Sequence, residues 1–102
     1  MPVMIIAQLR FRDIERYRKY QSQFSNVFGK FNGKLLVADE KVQAIEGSDC
    51  PDKIVVLEFP DSESAEQFHN SLKYREISED RKAGAHALVV QVKSFHNGGT
   101  FP

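Results

Sequence analysis

The sequence predicts a single α+β domain in which helices cover one face of an antiparallel sheet. Three observations support this fold class. Strand-like and helix-like segments follow one another in the order β-α-β-β-α-β. In the predicted helices, apolar residues recur at spacings of three and four. Several strand-like runs are apolar at consecutive positions, so both faces of the sheet are apolar. A chain of 102 residues fits one domain.

Residues 3–11 are predicted to form the first strand because they contain Val and Ile. Asp13 is placed to cap a following helix. Apolar side chains then recur every three or four residues, which indicates an amphipathic helix with an aromatic inner face. These inner positions are Ile14, Tyr17, Tyr20, Phe24, Val27, Phe28 and Phe31. Asn32 and Gly33 tolerate positive φ, so we expect the helix to end there.

The middle of the chain is predicted to hold two strands. Residues 34–47 read as one strand with a bend near residues 39–41, and the loop Ser-Asp-Cys-Pro-Asp follows. Residues 54–59 form the next strand, which Pro60 ends because proline cannot donate to a strand ladder.

A second helix is predicted to begin at Asp61, a good N-cap residue. Its inner stripe is Ala65, Phe68 and Leu72, all expected to be buried. In its continuation, over residues 73–83, the spacing of three and four places one further set of side chains on a shared face. These are Tyr74, Ile77 and Arg81.

Residues 87–94 are predicted to form the last strand. The complete order is the split βαβ, or ferredoxin-like, arrangement. We assign residues 1–96 to this single domain and residues 97–102 to a flexible C-terminal tail.

The apolar strands also predict how the protein assembles. The runs Val-Met-Ile-Ile-Ala, Ile-Val-Val-Leu and Ala-Leu-Val-Val place apolar residues on both faces of the sheet, but the helices cover only one face. A second copy of the chain is the simplest cover for the other face, because most soluble oligomers are symmetric homo-oligomers. We therefore expect a homodimer joined through the sheet faces, which is a dimeric α/β barrel.

Four segments resemble one known family. They are "DIERYRKYQ", "GKLLV", "DKIVVLEFPDSESAEQF" and "NSLKYREISEDR". The resemblance is to the uncharacterised family "domain of unknown function 1330", of the dimeric α/β-barrel superfamily, over roughly residues 3–95. It implies the ferredoxin-like fold and a sheet-to-sheet homodimer, and it implies no specific activity. Phe68 and His69 stand where that family usually has Trp and Tyr, and Cys50 replaces a common Trp.

Four residues are the candidate ligand-binding set: Tyr20, His69, Tyr74 and Arg81. An inward arginine near a helix end can hold a carboxylate bidentately, although it can equally stabilise the helix terminus. Tyrosine hydroxyls need partners when buried. His69 flanks the inner stripe and is a weak catalytic candidate as acid or base; it can equally be a half-exposed covering residue. Arg81 also matches the arginine that the resembled family has seven residues after its tyrosine.

The sequence argues against several function classes. Lys plus Arg and Asp plus Glu both number 14, so no basic excess points to nucleic acid or to an anionic membrane. No metal-ligand spacing, phosphate loop or dinucleotide fingerprint is present, so we expect no metal and no cofactor. Cys50 is expected to be an exposed thiol without a task, although pairing with a histidine stays open. A cytoplasmic location is the default.

These observations predict a small homodimer that binds or converts a small aromatic or carboxylate-bearing molecule in a cleft between helices and sheet. Whether it is an enzyme stays open. The alternative is a non-catalytic structural or binding dimer with a filled cleft.

Overall fold

The computed structural model describes residues 1–95, so His96 and the predicted tail, residues 97–102, lie outside the described residues. Four strands form one antiparallel sheet: β1 (Val3–Phe11), β2 (Lys34–Asp39), β3 (Lys53–Phe59) and β4 (Ala85–Lys93). Three helices complete the fold: α1 (Ile14–Phe28), α2 (Ser62–His69) and α3 (Leu72–Gly84). The strand order is β2-β3-β1-β4. This confirms the predicted α+β, ferredoxin-like fold.

The predicted helix caps are confirmed. The Asp13 carboxylate accepts a hydrogen bond from the backbone nitrogen of Arg16 at 3.3 Å. The Asp61 carboxylate accepts from the backbone nitrogen of Ser64 at 2.7 Å. Each bond satisfies one of the backbone donors that a helix leaves free at its first turn.

The second helical segment is broken in two, and this makes the expectation for Leu72 wrong. Asn70 caps the end of α2, and the Ser71 hydroxyl accepts from the Tyr74 backbone nitrogen at 3.1 Å to start α3. Leu72 is therefore the first residue of a new helix rather than the next turn of the old one. Its side chain is 75% exposed, not buried.

Two other boundaries differ from the prediction. Helix α1 ends at Phe28, since Gly29 occupies the C-cap and the helix does not reach Asn32. Strand β2 ends at Asp39, whose carboxylate accepts a hydrogen bond from the Lys41 backbone nitrogen at 2.7 Å. A short side-chain turn of this kind competes with the strand ladder, so the segment after Asp39 leaves the sheet.

Strand β2 carries an irregularity that directs side chains toward the helices. Its register against β3 shifts between Leu35 and Val37. Leu35 pairs with Leu57 and Ala38 pairs with Val55, and both β3 partners belong to the row that faces the helices. One extra residue in a strand reverses the side-chain alternation, as a β-bulge does. Leu35 and Ala38 therefore share the helix-covered face.

The core lies between the helices and this face of the sheet. Phe68 is 2% exposed and contacts several aromatic rings, with ring centroids 5.3 Å from Phe28, 5.6 Å from Phe59 and 4.5 Å from Tyr74. Aromatic pairs at such distances add to the stabilisation from burial alone.

Helices α1 and α3 meet at Gly84 with almost no space between their backbones. A Cβ atom at Gly84 would lie 2.4 Å from the Tyr17 backbone nitrogen and 2.8 Å from the Asp13 carbonyl oxygen. The Gly84 carbonyl accepts hydrogen bonds from the backbone nitrogens of Arg12, at 2.9 Å, and Asp13, at 3.0 Å. Only glycine permits this approach.

The second face of the sheet carries no helix and is apolar. Strands β1 and β4 pair so that Met4 lies beside Val92 and Ile6 beside Val90. Leu88 on the same face is 59% exposed. None of the helices in residues 1–95 is long and apolar enough to cross a membrane.

Candidate functional site

A cavity of about 210 Å³ lies between the helices and the covered face of the sheet. Its inner part is apolar and includes Leu9, Leu57 and Phe68, which are buried. Exposed residues at its edge, among them Gln21 and His69, mark an opening to solvent. Leu35 and Ala38 reach the cavity because of the irregularity in β2.

The four predicted ligand-binding residues all line this cavity: Tyr20, His69, Tyr74 and Arg81. Helix α1 supplies the first, α2 the second and α3 the other two. That these residues bind a ligand stays a prediction.

Two tyrosine hydroxyl groups meet at the cavity. The Oη atoms of Tyr20 and Tyr74 lie 3.2 Å apart and share a hydrogen bond. Tyr20 is 7% exposed. Its burial, with the nearby Tyr74 hydroxyl, raises the pKa of the Tyr20 phenol well above its ordinary value, although the positive charge of Arg81 acts in the opposite direction. The Tyr20 phenol therefore stays neutral and can donate a hydrogen bond.

Arg81 lines the cavity, and its guanidinium group has an unused donor. Its Nε atom is buried and has no hydrogen-bond partner within residues 1–95, and its guanidinium makes no ion pair there. The neighbouring acid, Asp80, is already paired with Nε of Arg16 at 2.8 Å. A buried donor left unpaired is unfavourable, so this arginine can gain from an acceptor in the cavity.

Lys53 is a cavity residue that the sequence reasoning missed. It is 3% exposed, and its Nζ atom lies 3.1 Å from a Glu40 carboxylate oxygen and 4.8 Å from the centre of the Tyr17 ring. The alternation of side chains along β3 indicates this position for Lys53. Every second residue of the strand faces the same side, and that row consists of Lys53, Val55, Leu57 and Phe59. Lysine is rarely buried, so this alternation alone does not predict a lysine on the covered face.

His69 and Cys50 are not joined by a hydrogen bond within residues 1–95. His69 is exposed, and its ring makes no hydrogen bond in the same range. Cys50 is half-buried rather than exposed, and its Sγ atom lies 3.5 Å from the Val42 carbonyl oxygen. In the same described range, no three His, Cys, Asp or Glu side chains are placed to hold a metal ion.

Comparison with known families gives one match. The family model described as "Domain of unknown function (DUF1330)" matches residues 2–95, nearly the whole chain. A search of curated proteins found no match.

Solved structures show the same fold. The RPA0582 protein of unknown function from Rhodopseudomonas palustris is 18% identical, with a TM-score of 0.80 over 94% of this chain and 84% of that one. A dimeric ferredoxin-like protein of unknown function from Thermobifida fusca is 16% identical, with a TM-score of 0.65 over 92% of each chain.

SnoaB, a cofactor-independent oxygenase from Streptomyces nogalater, is 7% identical, with a TM-score of 0.67 over 94% of this chain and 95% of that one. At these identities the likeness concerns the fold alone.

Proposed function

Because this chain belongs to the DUF1330 family, a domain of unknown function, we propose its function from the cavity itself. The protein is a homodimer that binds, and in the fullest case converts, a small aromatic carboxylate between its helices and sheet without a cofactor. One observation carries this proposal: an open apolar cavity is lined by Arg81, and the buried Nε atom of that guanidinium has no hydrogen-bond partner within residues 1–95.

The chemistry of the lining supports an anionic ligand. Arg81 offers donors in the planar arrangement that a carboxylate accepts in pairs. The hydroxyl groups of Tyr20 and Tyr74 meet at the same cavity and can orient a ligand oxygen. No Asp or Glu side chain from residues 1–95 belongs to the lining, so no negative charge on the cavity surface repels a bound anion.

The size and apolar character of the cavity support an aromatic ring. An apolar cavity of about 150 Å³ is large enough to hold benzene. The cavity here is about 210 Å³, which leaves room for one ring and a carboxylate. Phe24, Phe68 and Val55 supply apolar surface for the ring. An open cavity also disfavours the alternative in which side chains of the protein fill the cleft.

A structural neighbour offers a precedent for conversion of the ligand. SnoaB is a cofactor-independent oxygenase of the same fold, so this fold is compatible with chemistry that needs no cofactor. His69 is an exposed residue of the lining whose ring can act as an acid or base. No residue in the described range orients its ring by a hydrogen bond, whereas an effective acid–base group is normally held in position. This observation favours binding without catalysis as the second candidate function.

The binding proposal is tested with benzoate as the probe, by calorimetry and by thermal unfolding. Benzoate should raise the melting temperature, because a ligand that binds only the folded state stabilises it. Arg81→Gln should weaken benzoate binding by about 10- to 100-fold, as expected for a lost charge-assisted hydrogen bond. Arg75→Gln is the matched control, since Arg75 lies exposed on the same helix. Equal affinities for wild type and Arg81→Gln would contradict the proposal.

The dimer interface is proposed to be the helix-free face of the sheet. This face exposes apolar side chains of β2 and β4, including Val37, Leu88 and Val90. A large exposed apolar patch of this kind commonly marks an interface. The proposed contact places two sheets face to face.

Val90→Asp tests this interface by sedimentation or light scattering. It should give monomers or aggregates, since an unpaired buried charge is unfavourable. Gln23→Asp, at an exposed position of α1, should leave the oligomeric state unchanged. A wild-type monomer at micromolar concentration contradicts the assignment.

A further inference from the structure

The cavity contains two cations whose electrostatic situations differ. Arg81 has no carboxylate partner within residues 1–95. Lys53, at 3% exposure, is paired at 3.1 Å with Glu40. Glu40 does not itself line the cavity but contacts the lysine from outside it. One cation is therefore free to receive an anion, and the other is already compensated.

Glu40 is held firmly in its position. Its two carboxylate oxygens accept hydrogen bonds from the Arg18 guanidinium at 2.5 and 2.6 Å, in the bidentate arrangement. The same carboxylate accepts a hydrogen bond from Lys53 Nζ. The Arg18 hydrogen bonds, with Lys53, lower the pKa of Glu40 to about 2. Glu40 is thus charged throughout the physiological range, and Lys53 keeps its counterion.

We propose that Glu40 restricts the cavity to ligands with a single anionic group, by neutralising Lys53. This inference rests on the proposed function and specifies its ligand class: aromatic monocarboxylates are accepted and aromatic dicarboxylates are rejected. Glu40 and Lys53 act here as specificity-determining residues, whereas Arg81 supplies the affinity for the carboxylate.

The second carboxylate of a dicarboxylate loses its hydration on entering the cavity. The free-energy cost of this loss is large unless a cation compensates it. Arg81 is occupied by the first carboxylate. Lys53 is the remaining cation in the lining, but the adjacent Glu40 charge repels a further carboxylate. Replacing Glu40 by Gln keeps its size, removes that repulsion and leaves the buried Lys53 ammonium in need of an anion.

The experiment compares affinities for benzoate, isophthalate and terephthalate by calorimetry. The two dicarboxylates place their charges at different separations, so the test does not depend on one geometry. Wild type should bind benzoate at least about tenfold more tightly than either dicarboxylate, because placing like charges together in a buried site is strongly unfavourable. Glu40→Gln should change this ratio by about tenfold or more in favour of at least one dicarboxylate.

Two further variants identify the cause of the change. Glu40→Asp retains the charge and should retain the preference for benzoate. The double variant Glu40→Gln/Lys53→Met removes the unpaired cation and should lose the gain in dicarboxylate binding. Circular dichroism establishes that each variant is folded before binding is measured, and Glu40→Ala is used if Glu40→Gln does not fold.

The outcomes separate this inference from the proposed function. An unchanged ratio in the folded variant, or equal binding of all three probes by wild type, overturns the role of Glu40 while Arg81-dependent benzoate binding stands. Binding of none of the probes to wild type overturns the proposed function, and this inference with it.

Discussion

Phe68→Ala is expected to be the most damaging single truncation in the aromatic core. Phe68 is 2% exposed, and its ring lies between those of Phe28, at 5.3 Å, and Tyr74, at 4.5 Å. It is also part of the cavity lining. The substitution therefore removes contacts with both α1 and α3 and enlarges an existing space.

The expected loss in the free energy of unfolding follows from these contacts. An aromatic side chain buries roughly 150–250 Å², and at about 25 cal/mol per Å² this burial contributes about 4–6 kcal/mol. Alanine keeps part of that surface, and measured Phe→Ala changes in cores fall at about 3–5 kcal/mol. Because the new space is continuous with the open cavity, water can enter it, so we expect about 3–4 kcal/mol.

The assay is urea or thermal unfolding at one fixed protomer concentration, since self-association affects apparent stability. For a domain of this size the melting temperature should fall by roughly 12 °C or more, at about 4–8 °C per kcal/mol. Leu72→Ala is the control: Leu72 is 75% exposed and should change the free energy by less than about 0.5 kcal/mol. A loss below about 1 kcal/mol for Phe68→Ala would refute the packing argument.

Two further predictions concern Gly84 and Glu40. Gly84→Ala should lower the free energy of unfolding by at least about 2 kcal/mol, although alanine has the better helix propensity. The reason is that the added Cβ would lie 2.4 Å from the Tyr17 backbone nitrogen. If the Gly84→Ala variant unfolds in urea like the wild type, the helices move apart at little cost and the prediction is wrong. In the folded protein the pKa of Glu40 is lowered to about 2 from its ordinary 4.5. Its contribution to the free energy of unfolding is therefore complete above about pH 4.5 and is lost as the pH falls toward 2. Because solvent screens the ion pair between Glu40 and Arg18, we expect Glu40 to contribute about 1 kcal/mol to the free energy of unfolding. This is measured as a stability difference between wild type and Glu40→Gln at pH 7, which should disappear near pH 2. A difference that is independent of pH contradicts the prediction.

Much of the fold could be predicted because it depends on short-range patterns. The caps at Asp13 and Asp61 and the three-and-four spacing of Tyr74 and Arg81 act within a few residues, so the sequence alone specifies them. The same spacing failed at Leu72, since the Ser71 cap starts a new helix and resets the angular position of every later residue.

The electrostatics of the site could not be predicted in the same way. Lys53 and Glu40 are separated by a segment without regular structure, and their contact depends on how that segment returns to the sheet. Arg81 could be placed on an inner face, but whether an acid of another element would reach it could not be predicted, and no ion pair of Arg81 forms within residues 1–95. Contacts of this kind are set by tertiary structure, which residue spacing does not encode.

The close approach at Gly84 also affects how a ligand would be received. Its carbonyl ties the start of α1 to the end of α3, and these two helices carry Tyr20 and Arg81 respectively. The two sides of the cavity are therefore fixed relative to each other before anything binds. A ligand that enters has little helix motion to arrest, so the conformational entropy lost on association is small and affinity depends mainly on direct contacts. Loosening this junction should weaken binding without altering a single residue that touches the ligand.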